Sequence, residues 1–116
     1  MLTIRPATEK DYPEIVRWNE KRGAAYLIQW AGFVTYTYPL TEEQVRKQAE
    51  KDGVHLYVIY ENDSPIGAGE ICDINEKEKT GRICRLIFSK EAQNKGCGEI
   101  FLKELSRIAF EEMGLV

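Results

Sequence analysis

Apolar and polar positions recur with two different periods along the chain, and each period predicts a different kind of element. Residues 2–5 alternate and are rich enough in β-branched side chains to predict a short strand, which Pro6 closes because proline has no N–H for the ladder. From Glu99 onward, apolar residues return every three or four positions, which predicts a long amphipathic helix that ends at Gly114. The apolar face of that helix comprises Phe101, Leu105, Ile108, Ala109 and Met113.

Two shorter helices are predicted from their starting signals. Residues 11–14 form a capping box with a proline in the first turn and Asp11 as the N-cap, so we expect a helix from there to about residue 22, ahead of Gly23. Residues 41–44 form a second capping box, which opens a mostly polar helix that ends at residues 52–53. The weak apolar face of this second helix predicts a position at the surface.

The segment between these helices is aromatic but lacks a clear period. Residues 24–40 keep neither the helical nor the strand pattern, so we interpret them as a packed connection with room for a short helical turn. Aromatic side chains in a long connection more often pack against the core than bind ligands. The aromatic residues are Tyr26, Trp30, Phe33, Tyr36 and Tyr38.

Two consecutive hairpins are predicted in the second half of the chain. Residues 54–60 and 65–74 are β-branched and aromatic, and the turn-forming residues 61–64 separate them. The charged residues 75–80 make the next turn, and residues 81–88 return as a further strand. The predicted sheet is therefore mostly antiparallel.

Length and composition fit one cytoplasmic domain over residues 1–116. The hydrophobic fraction is 43%, the charged fraction is 30%, and no apolar run approaches the roughly 20 residues that cross a bilayer. The first six residues show no secretory signal. The net charge of −3 comes from interspersed acidic and basic residues, which disfavours nucleic acid as a partner.

The cysteines indicate a reducing compartment. Cys72, Cys84 and Cys97 are odd in number and contain no CxxC pair, which argues against a disulfide framework and against a zinc site. Cys72 and Cys84 become cross-strand neighbours if the second hairpin turns symmetrically about residue 78. In the cytoplasm we nevertheless expect two free, buried thiols, and we predict no metal.

The most informative segment runs from Gln93 to Gly98, between an apolar strand end and the long helix. The first N–H groups of a helix have no intrahelical acceptor, and the helix dipole adds about half a positive charge there, so a diphosphate can occupy this end. Gly96 and Gly98 let the backbone approach phosphate oxygens, and Lys95 adds a cation. On the glycines alone, a simple helix-start turn remains an equal alternative.

Gln93 makes the loop more specific, because it completes the pattern Q/R-x-x-G-x-G/A, and here the chain resembles the GNAT acetyltransferases. A Walker loop would need Gly-Lys-Ser/Thr, and a dinucleotide fingerprint would follow a βαβ unit rather than hairpins. The order of elements resembles the family throughout, from Ile4-Arg5-Pro6 to residues 85–88 and the helix. The resemblance implies an α+β fold (α/β layered) of the acyl-CoA N-acyltransferase type, with a mostly antiparallel central sheet flanked by helices.

The resemblance further implies acetyl-CoA as the cosubstrate and an amine as the acceptor. Backbone groups of Leu86, Ile87 and Phe88 would bond the pantetheine arm like an added strand. Cys97 is expected mainly as a small residue between the glycines, although the dipole would also favour a reactive thiolate there. The residues implied at the pyrophosphate are Gln93, Asn94, Lys95, Gly96, Cys97 and Gly98.

In this family a neutral amine attacks the thioester, and a carboxylate or a water chain removes the amine proton. Glu70 is our candidate base, because it shares a strand face with Cys72 and lies opposite Leu86 if the pairing is symmetrical. A Glu70 that simply faces solvent from a half-exposed strand is an equal alternative. Trp30 and Tyr36 are secondary candidates for the acceptor site, since relatives line it with this segment, and packing is their preferred role.

The sequence stops at Val116, where the family continues with a fifth strand, a helix and further strands, so the resemblance implies a domain that lacks its C-terminal strands and the tyrosine acid beyond them. Leu115 and Val116 are expected to begin a further strand. A free edge on the fourth strand would favour a homodimer. The predicted function is an acetyl-CoA-dependent N-acetyltransferase, and the alternative is a truncated, non-catalytic module that binds CoA or a protein.

Overall fold

A four-stranded antiparallel sheet organises the chain, and helices lie against both of its faces. The computed structural model describes residues 2–20, 22–32, 35–89, 92 and 96–115. The elements in chain order are β1 (Leu2–Pro6), α1 (Tyr12–Glu20), α2 (Gly23–Ala31), α3 (Glu42–Ala49), β2 (His55–Glu61), β3 (Ser64–Asn75), β4 (Thr80–Phe88) and α4 (Cys97–Arg107), which continues as a π-helical turn (Ile108–Glu112).

Each strand pairs with the next one along the chain, in the order β1-β2-β3-β4. Pro6 ends β1, as predicted, and stands opposite Tyr57 of β2. The bounds of β2, β3 and β4 agree with the predicted strands to within one residue at each end. The two hairpins and the α+β class are therefore confirmed, and in the described residues the outer edge of β4 has no strand partner.

The sheet separates two apolar clusters. Helices α1, α2 and α3 cover one face, and α4 covers the other. Neighbouring positions on a strand point to opposite faces, so Val58 belongs to the first cluster and Ile59 to the second. The first cluster includes Tyr12, Ile15, Leu27, Val45 and Ile87, and the second includes Ile71, Cys97, Phe101 and Leu105.

The aromatic connection contains a full helix, so the expected short turn is wrong. α2 spans Gly23–Ala31, and α1 ends at Glu20, two residues before its predicted end. Gly23 has a φ of 81°, and it starts α2 rather than capping a longer α1. The helical period of α2 could not be recognised in the sequence, because apolar residues also lie on the outer side of the helix, where Ile28 is 41% exposed.

α1 begins at Tyr12, as predicted, but Asp11 does not cap it with its side chain. The Asp11 carboxylate accepts the backbone N–H of Thr8 at 2.8 Å and the hydroxyl of Tyr60. In the described residues neither of its oxygens bonds an N–H of α1. The buried carboxylate therefore ties the loop before α1 to β2, and the predicted capping box is wrong.

α3 has the predicted cap but not the predicted position. The hydroxyl of Thr41 accepts the N–H of Gln44 at 3.3 Å. Val45 is fully buried and Gln48 is 5% exposed, because α3 lies over the sheet beside α1. A helix with only a narrow apolar stripe thus reaches the core, and the expected surface position is wrong.

The last helix ends near the predicted glycine. The π-helical turn after α4 is followed by Gly114, which has a φ of 68°. Leu115 donates its N–H to the carbonyl of Ala109 at 2.9 Å and is buried in the cluster of α4. Leu115 is in no strand, contrary to the expectation, and Val116 lies outside the described residues.

Phe101 provides a test of the packing on the α4 side. We expect Phe101→Ala to lower the free energy of unfolding by about 3–5 kcal/mol, because it empties a fully buried site against Phe88 and the sheet. Ile100→Ala, one position earlier and 46% exposed, should cost less than about 1 kcal/mol. Urea unfolding monitored by circular dichroism measures both, and equal losses would contradict the packing described.

Candidate functional site

Glu70 lies inside the structure, on the sheet face that α3 covers. Its side chain is 1% exposed, and Ala68 and Cys72, two positions away on either side, are also buried. The alternative of a solvent-facing Glu70 is therefore wrong. The expected pairing with Leu86 is also wrong, because Glu70 stands opposite Cys84.

The different register arises nearer the turn, where Asp73 and Ile74 of β3 together stand opposite Gly81, and a β-bulge in β4 follows beyond Glu70. Arg85 and Leu86 together stand opposite the single residue Gly69, and Arg85 adopts a φ of 53°. The extra residue keeps Arg85 on the same sheet face as Glu70, where strict alternation would have turned it away. The symmetrical hairpin assumed from the sequence left no room for this residue.

Two polar side chains from separate segments bond Glu70, and a third holds one of them in place. Nε2 of Gln48 on α3 donates to Oε1 of Glu70 at 3.0 Å, and Nη1 of Arg85 donates to the same oxygen in an ion pair. Nε of Arg85 donates to the hydroxyl of Thr35 at 3.0 Å. In the described part of the chain, no hydrogen bond ends on the second oxygen, Oε2.

The surroundings of Glu70 act on its pKa in opposite directions. Burial raises the pKa of this carboxyl above its ordinary value of 4.5, and the charge of Arg85 and the bond from Gln48 lower it. The effect of burial is the larger, so the pKa is raised. A carboxylate with a raised pKa is a stronger proton acceptor than an exposed one.

Cys72 and Cys84 are joined by a disulfide across the β3–β4 hairpin. The expectation of two free thiols is therefore wrong, and only Cys97 is free among the described cysteines. Cys84 faces Glu70 and so lies diagonally opposite Cys72 on the same sheet face, where the two sulfurs can join. Nη1 of Arg85 lies 3.1 Å from the sulfur of Cys84 and 3.6 Å from that of Cys72.

Glu70 and the two disulfide-bonded cysteines resemble a metal site only in their distances. One ligand atom from each of Glu70, Cys72 and Cys84 lies within 4.8 Å of the others. The guanidinium of Arg85 bonds Glu70 and contacts both sulfurs, so a positive charge already occupies the space between these atoms. The arrangement therefore fits a cation poorly, and the predicted absence of a metal stays a prediction.

Tyr36 lies near Glu70, whereas Trp30 contacts the ring of Tyr36 and lies further from Glu70. Tyr36 is buried, and burial together with the charge of Glu70 raises its pKa strongly, so its hydroxyl stays protonated at neutral pH. The Trp30 ring centre lies 5.8 Å from that of Tyr36, and its Nε1 donates to Oδ1 of Asn19 at 2.9 Å. The contacts of Trp30 are those of a packed side chain, and Tyr36 is the better candidate for a role in the site.

The glycines of the predicted pyrophosphate loop lie at the start of α4. Gly96 precedes the helix with a φ of 75°, a conformation that favours glycine. Cys97, the first residue of α4, is buried against the core, as expected of a small packing residue. Among the described residues, a Cβ on Gly98 would meet only the Phe88 ring, at an ordinary 3.7 Å. Gln93, Asn94 and Lys95 lie outside the described residues.

The predicted pantetheine strand leads from the bulge towards this loop. Leu86 and Phe88 pack with the cluster of α4, and Ile87 between them packs with the opposite cluster. The carbonyl of Phe88 accepts Nη1 of Arg22 at 3.0 Å, and Arg22 also bonds the hydroxyl of Tyr26. This carbonyl keeps a second lone pair.

A cavity of about 370 Å³ opens beside the Glu70 cluster. Sequence reasoning missed the polar residues that line it, because Gln48 and Arg85 carry no motif and their positions depend on α3 packing and on the bulge. Polar and charged lining comes from Thr35, Gln48, Lys51, Asp52, Asp73 and Arg85.

The layered antiparallel sheet, with β4 leading into a glycine start of α4, defines the acyl-CoA N-acyltransferase fold. The chain belongs to the acetyltransferase (GNAT) family, whose match covers residues 9–116. The resemblance stated from the sequence is therefore confirmed. No curated protein matches the chain.

Similar solved structures include the spermidine N-acetyltransferase SpeG from Vibrio cholerae. Its complex with CoA and spermine is 18% identical with a TM-score of 0.77, and the match covers 98% of this chain and 66% of that chain. Its dodecameric structure in an intermediate state is 22% identical with a TM-score of 0.74, over 98% and 65% of the two chains. This chain thus spans about two thirds of the SpeG length, and the likeness shows the fold. None of the helices in the described residues is long and apolar enough to cross a membrane.

The raised pKa of Glu70 predicts a pH-dependent stability. Because the folded state holds this proton more tightly than the unfolded state, the contribution of Glu70 to stability should fall as pH rises from 4.5 through the raised pKa. Urea unfolding at several pH values measures this, and the fall should disappear in Glu70→Gln.

Glu78→Gln is the matched control, because Glu78 is exposed in the β3–β4 turn. The control should follow the wild-type dependence. If the contribution of Glu70 to stability instead grows with pH over this range, the charge of Arg85 lowers the pKa of Glu70 more than burial raises it.

Proposed function

We propose that the chain is an acetyl-CoA-dependent N-acetyltransferase that moves an acetyl group to a primary amine. The single observation that supports this best is the buried carboxylate of Glu70, with a raised pKa, beside a cavity at the β4 bulge. Family membership supports the same reaction class. The similar SpeG structures are named for spermidine acetylation, and one of them contains CoA.

The cosubstrate would bind along β4 and at the start of α4. Backbone groups of Leu86, Ile87 and Phe88 would bond the pantetheine arm, and the first N–H groups of α4 would bond the diphosphate. Gly96 and Gly98 support this part of the proposal, because they leave the backbone open at the helix start. Gln93, Asn94, Lys95 and Cys97 complete the proposed loop.

Glu70 would act as the general base on the opposite face of the sheet. The amine nitrogen forms a bond to the thioester carbonyl carbon and its proton goes to the carboxylate. The carbon–sulfur bond breaks to release CoA as a thiolate, which takes up a proton from solvent. Gln48 and Arg85 act as positioning residues, because they hold Oε1 and leave Oε2 for the proton. The protonated hydroxyl of Tyr36 is a candidate donor or acceptor for substrate polar groups.

The homodimer through the free edge of β4 and the cytoplasmic location also stay predictions. The alternative function, a non-catalytic module that binds CoA or a protein, would share the loop but would not need a buried base at Glu70.

Acetyl-CoA binding is tested with a substitution that the fold tolerates. Gly98→Glu should weaken binding at least about a hundredfold, because it sets a carboxylate at the helix start where the diphosphate would lie. Gly98 is a better choice than Gly96, because Gly98 has a helical backbone and its added Cβ would make an ordinary contact. Gly96 has a positive φ that would strain any other residue. Isothermal titration calorimetry measures the affinity.

The matched control is Ser106→Glu, which adds the same charge to the same helix at an exposed position. The control should bind acetyl-CoA like the wild type. Wild-type protein that gives no binding heat, or a Gly98→Glu variant that binds as tightly as the control, would contradict the proposed cosubstrate site.

Turnover is tested at Glu70. Glu70→Gln should lower kcat by about a hundredfold to ten-thousandfold and leave acetyl-CoA affinity unchanged, since it removes a base and not the diphosphate site. Release of free CoA thiol with a panel of primary amines measures this, with Glu78→Gln as the control. Binding of acetyl-CoA without thiol release from any amine would favour the non-catalytic module.

A further inference from the structure

We propose that the acceptor carries a carboxylate next to its amine, as an α-amino acid does, and is not a polyamine. This inference rests on the proposed acetyltransfer and concerns the cavity beside Glu70.

The negative charge of Glu70 is already balanced by a cation. Its buried carboxylate forms an ion pair with Arg85, whose side chain is 23% exposed. A polyamine needs several unpaired carboxylates to replace the water around its ammonium groups. The deepest carboxylate of this site instead has a guanidinium as its partner.

The cavity wall itself contains two acidic residues, Asp52 and Asp73. Asp73 forms an ion pair with Arg82 at 2.9 Å. Asp52 lies at the exposed rim, next to Lys51. Two of the three carboxylates, Glu70 and Asp73, thus have an ion-pair partner, so the site does not offer the several unpaired carboxylates that a polyamine needs.

A buried carbonyl in the cavity suits the amine end of the acceptor. Gln48 lines the cavity and is 5% exposed, and its Oε1 has no hydrogen-bond partner among the described residues. The amide orientation is fixed, because Nε2 must face the Glu70 carboxylate to which it donates. A buried carbonyl without a partner costs stability, so an N–H donor on the ligand would satisfy it.

A guanidinium suits the carboxylate end of the acceptor. Arg85 uses Nε for Thr35 and Nη1 for Glu70, and in the described residues no acceptor bonds Nη2. A guanidinium with one free edge binds a carboxylate through a charge-assisted hydrogen bond. Lys51 adds a second cation on the same cavity wall. Together these groups offer one end for an amine and another for a carboxylate.

The cavity has the size of a small-molecule site. Its volume of about 370 Å³ lies in the lower part of the range for ligand pockets, roughly 300–1,000 Å³. A free amino acid is a suitable occupant for such a space.

The test compares each amino acid with the amine that its decarboxylation gives. L-leucine is paired with 3-methylbutylamine and L-lysine with cadaverine, and spermidine is the polyamine probe. Rates of thiol release are expressed per neutral amine, because loss of the carboxylate raises the amine pKa. For wild-type protein we expect kcat/KM to be about tenfold to a hundredfold higher for the amino acid of each pair, the range of one charge-assisted hydrogen bond.

Two variants separate recognition of the carboxylate from a general loss of activity. Arg85→Lys keeps a cation beside Glu70 but loses the planar fork, and it should lower the preference for the amino acid about tenfold. Lys51→Gln should lower the preference about two- to fivefold, mainly through a higher KM for the amino acid. Lys47→Gln, an exposed lysine on α3 that does not line the cavity, is the control and should keep the wild-type preference.

The outcomes distinguish the inference from the function on which it rests. Acetylation of plain amines or spermidine in preference to amino acids would overturn the inference and leave the acetyltransferase intact. A preference for amino acids that neither Arg85→Lys nor Lys51→Gln reduces would overturn the assigned residues. An acetyl-CoA complex that acetylates no member of the panel would overturn the proposed function itself. If Arg85→Lys does not fold, the wild-type preference and Lys51→Gln still decide.

Discussion

The ion pair between Glu70 and Arg85 is the constraint on which the rest of the site depends. A buried carboxylate without a cation would cost several kcal/mol, so the fold must bring a positive charge to it. Arg85 is held in turn by Thr35, and Gln48 of α3 holds Glu70 from the helix side. One interaction therefore joins β3, β4, α3 and the segment after α2. Loss of the pair would loosen four segments together.

The bulge in β4 makes this pair possible. In a regular strand Cys84 and Arg85 would point to opposite faces, and Arg85 would enter the cluster of α4. The extra residue keeps Arg85 with Glu70 while Leu86 returns to the other face. Gly69 allows the close approach, because a Cβ there would overlap the side chain of Leu86. The polar site and the apolar packing of α4 therefore depend on the same irregularity.

The sequence was sufficient for elements with a strict period, and it failed where tertiary contacts decide. The strands and α4 were predicted because alternation and the 3.6-residue period are local properties. α2 was missed because its apolar residues surround it, and Asp11 was misassigned because its partners, Thr8 and Tyr60, lie outside the helix. The Cys72–Cys84 disulfide was missed because a compartment argument outweighed the geometry. A bulge has no sequence signal, so the residue opposite Glu70 could not be predicted.

The two faces of the sheet carry different parts of the proposed site. The glycine start of α4 and the packing of Leu86 and Phe88 lie on one side, where a diphosphate would bind. Glu70 and the cavity lie on the other side, under α3. β4 contributes side chains to both faces, and its bulge places Arg85 beside Glu70 while Leu86 packs on the α4 side. An acetyl group carried along β4 would therefore meet its acceptor at the bulge, the place where the sheet also holds a buried base.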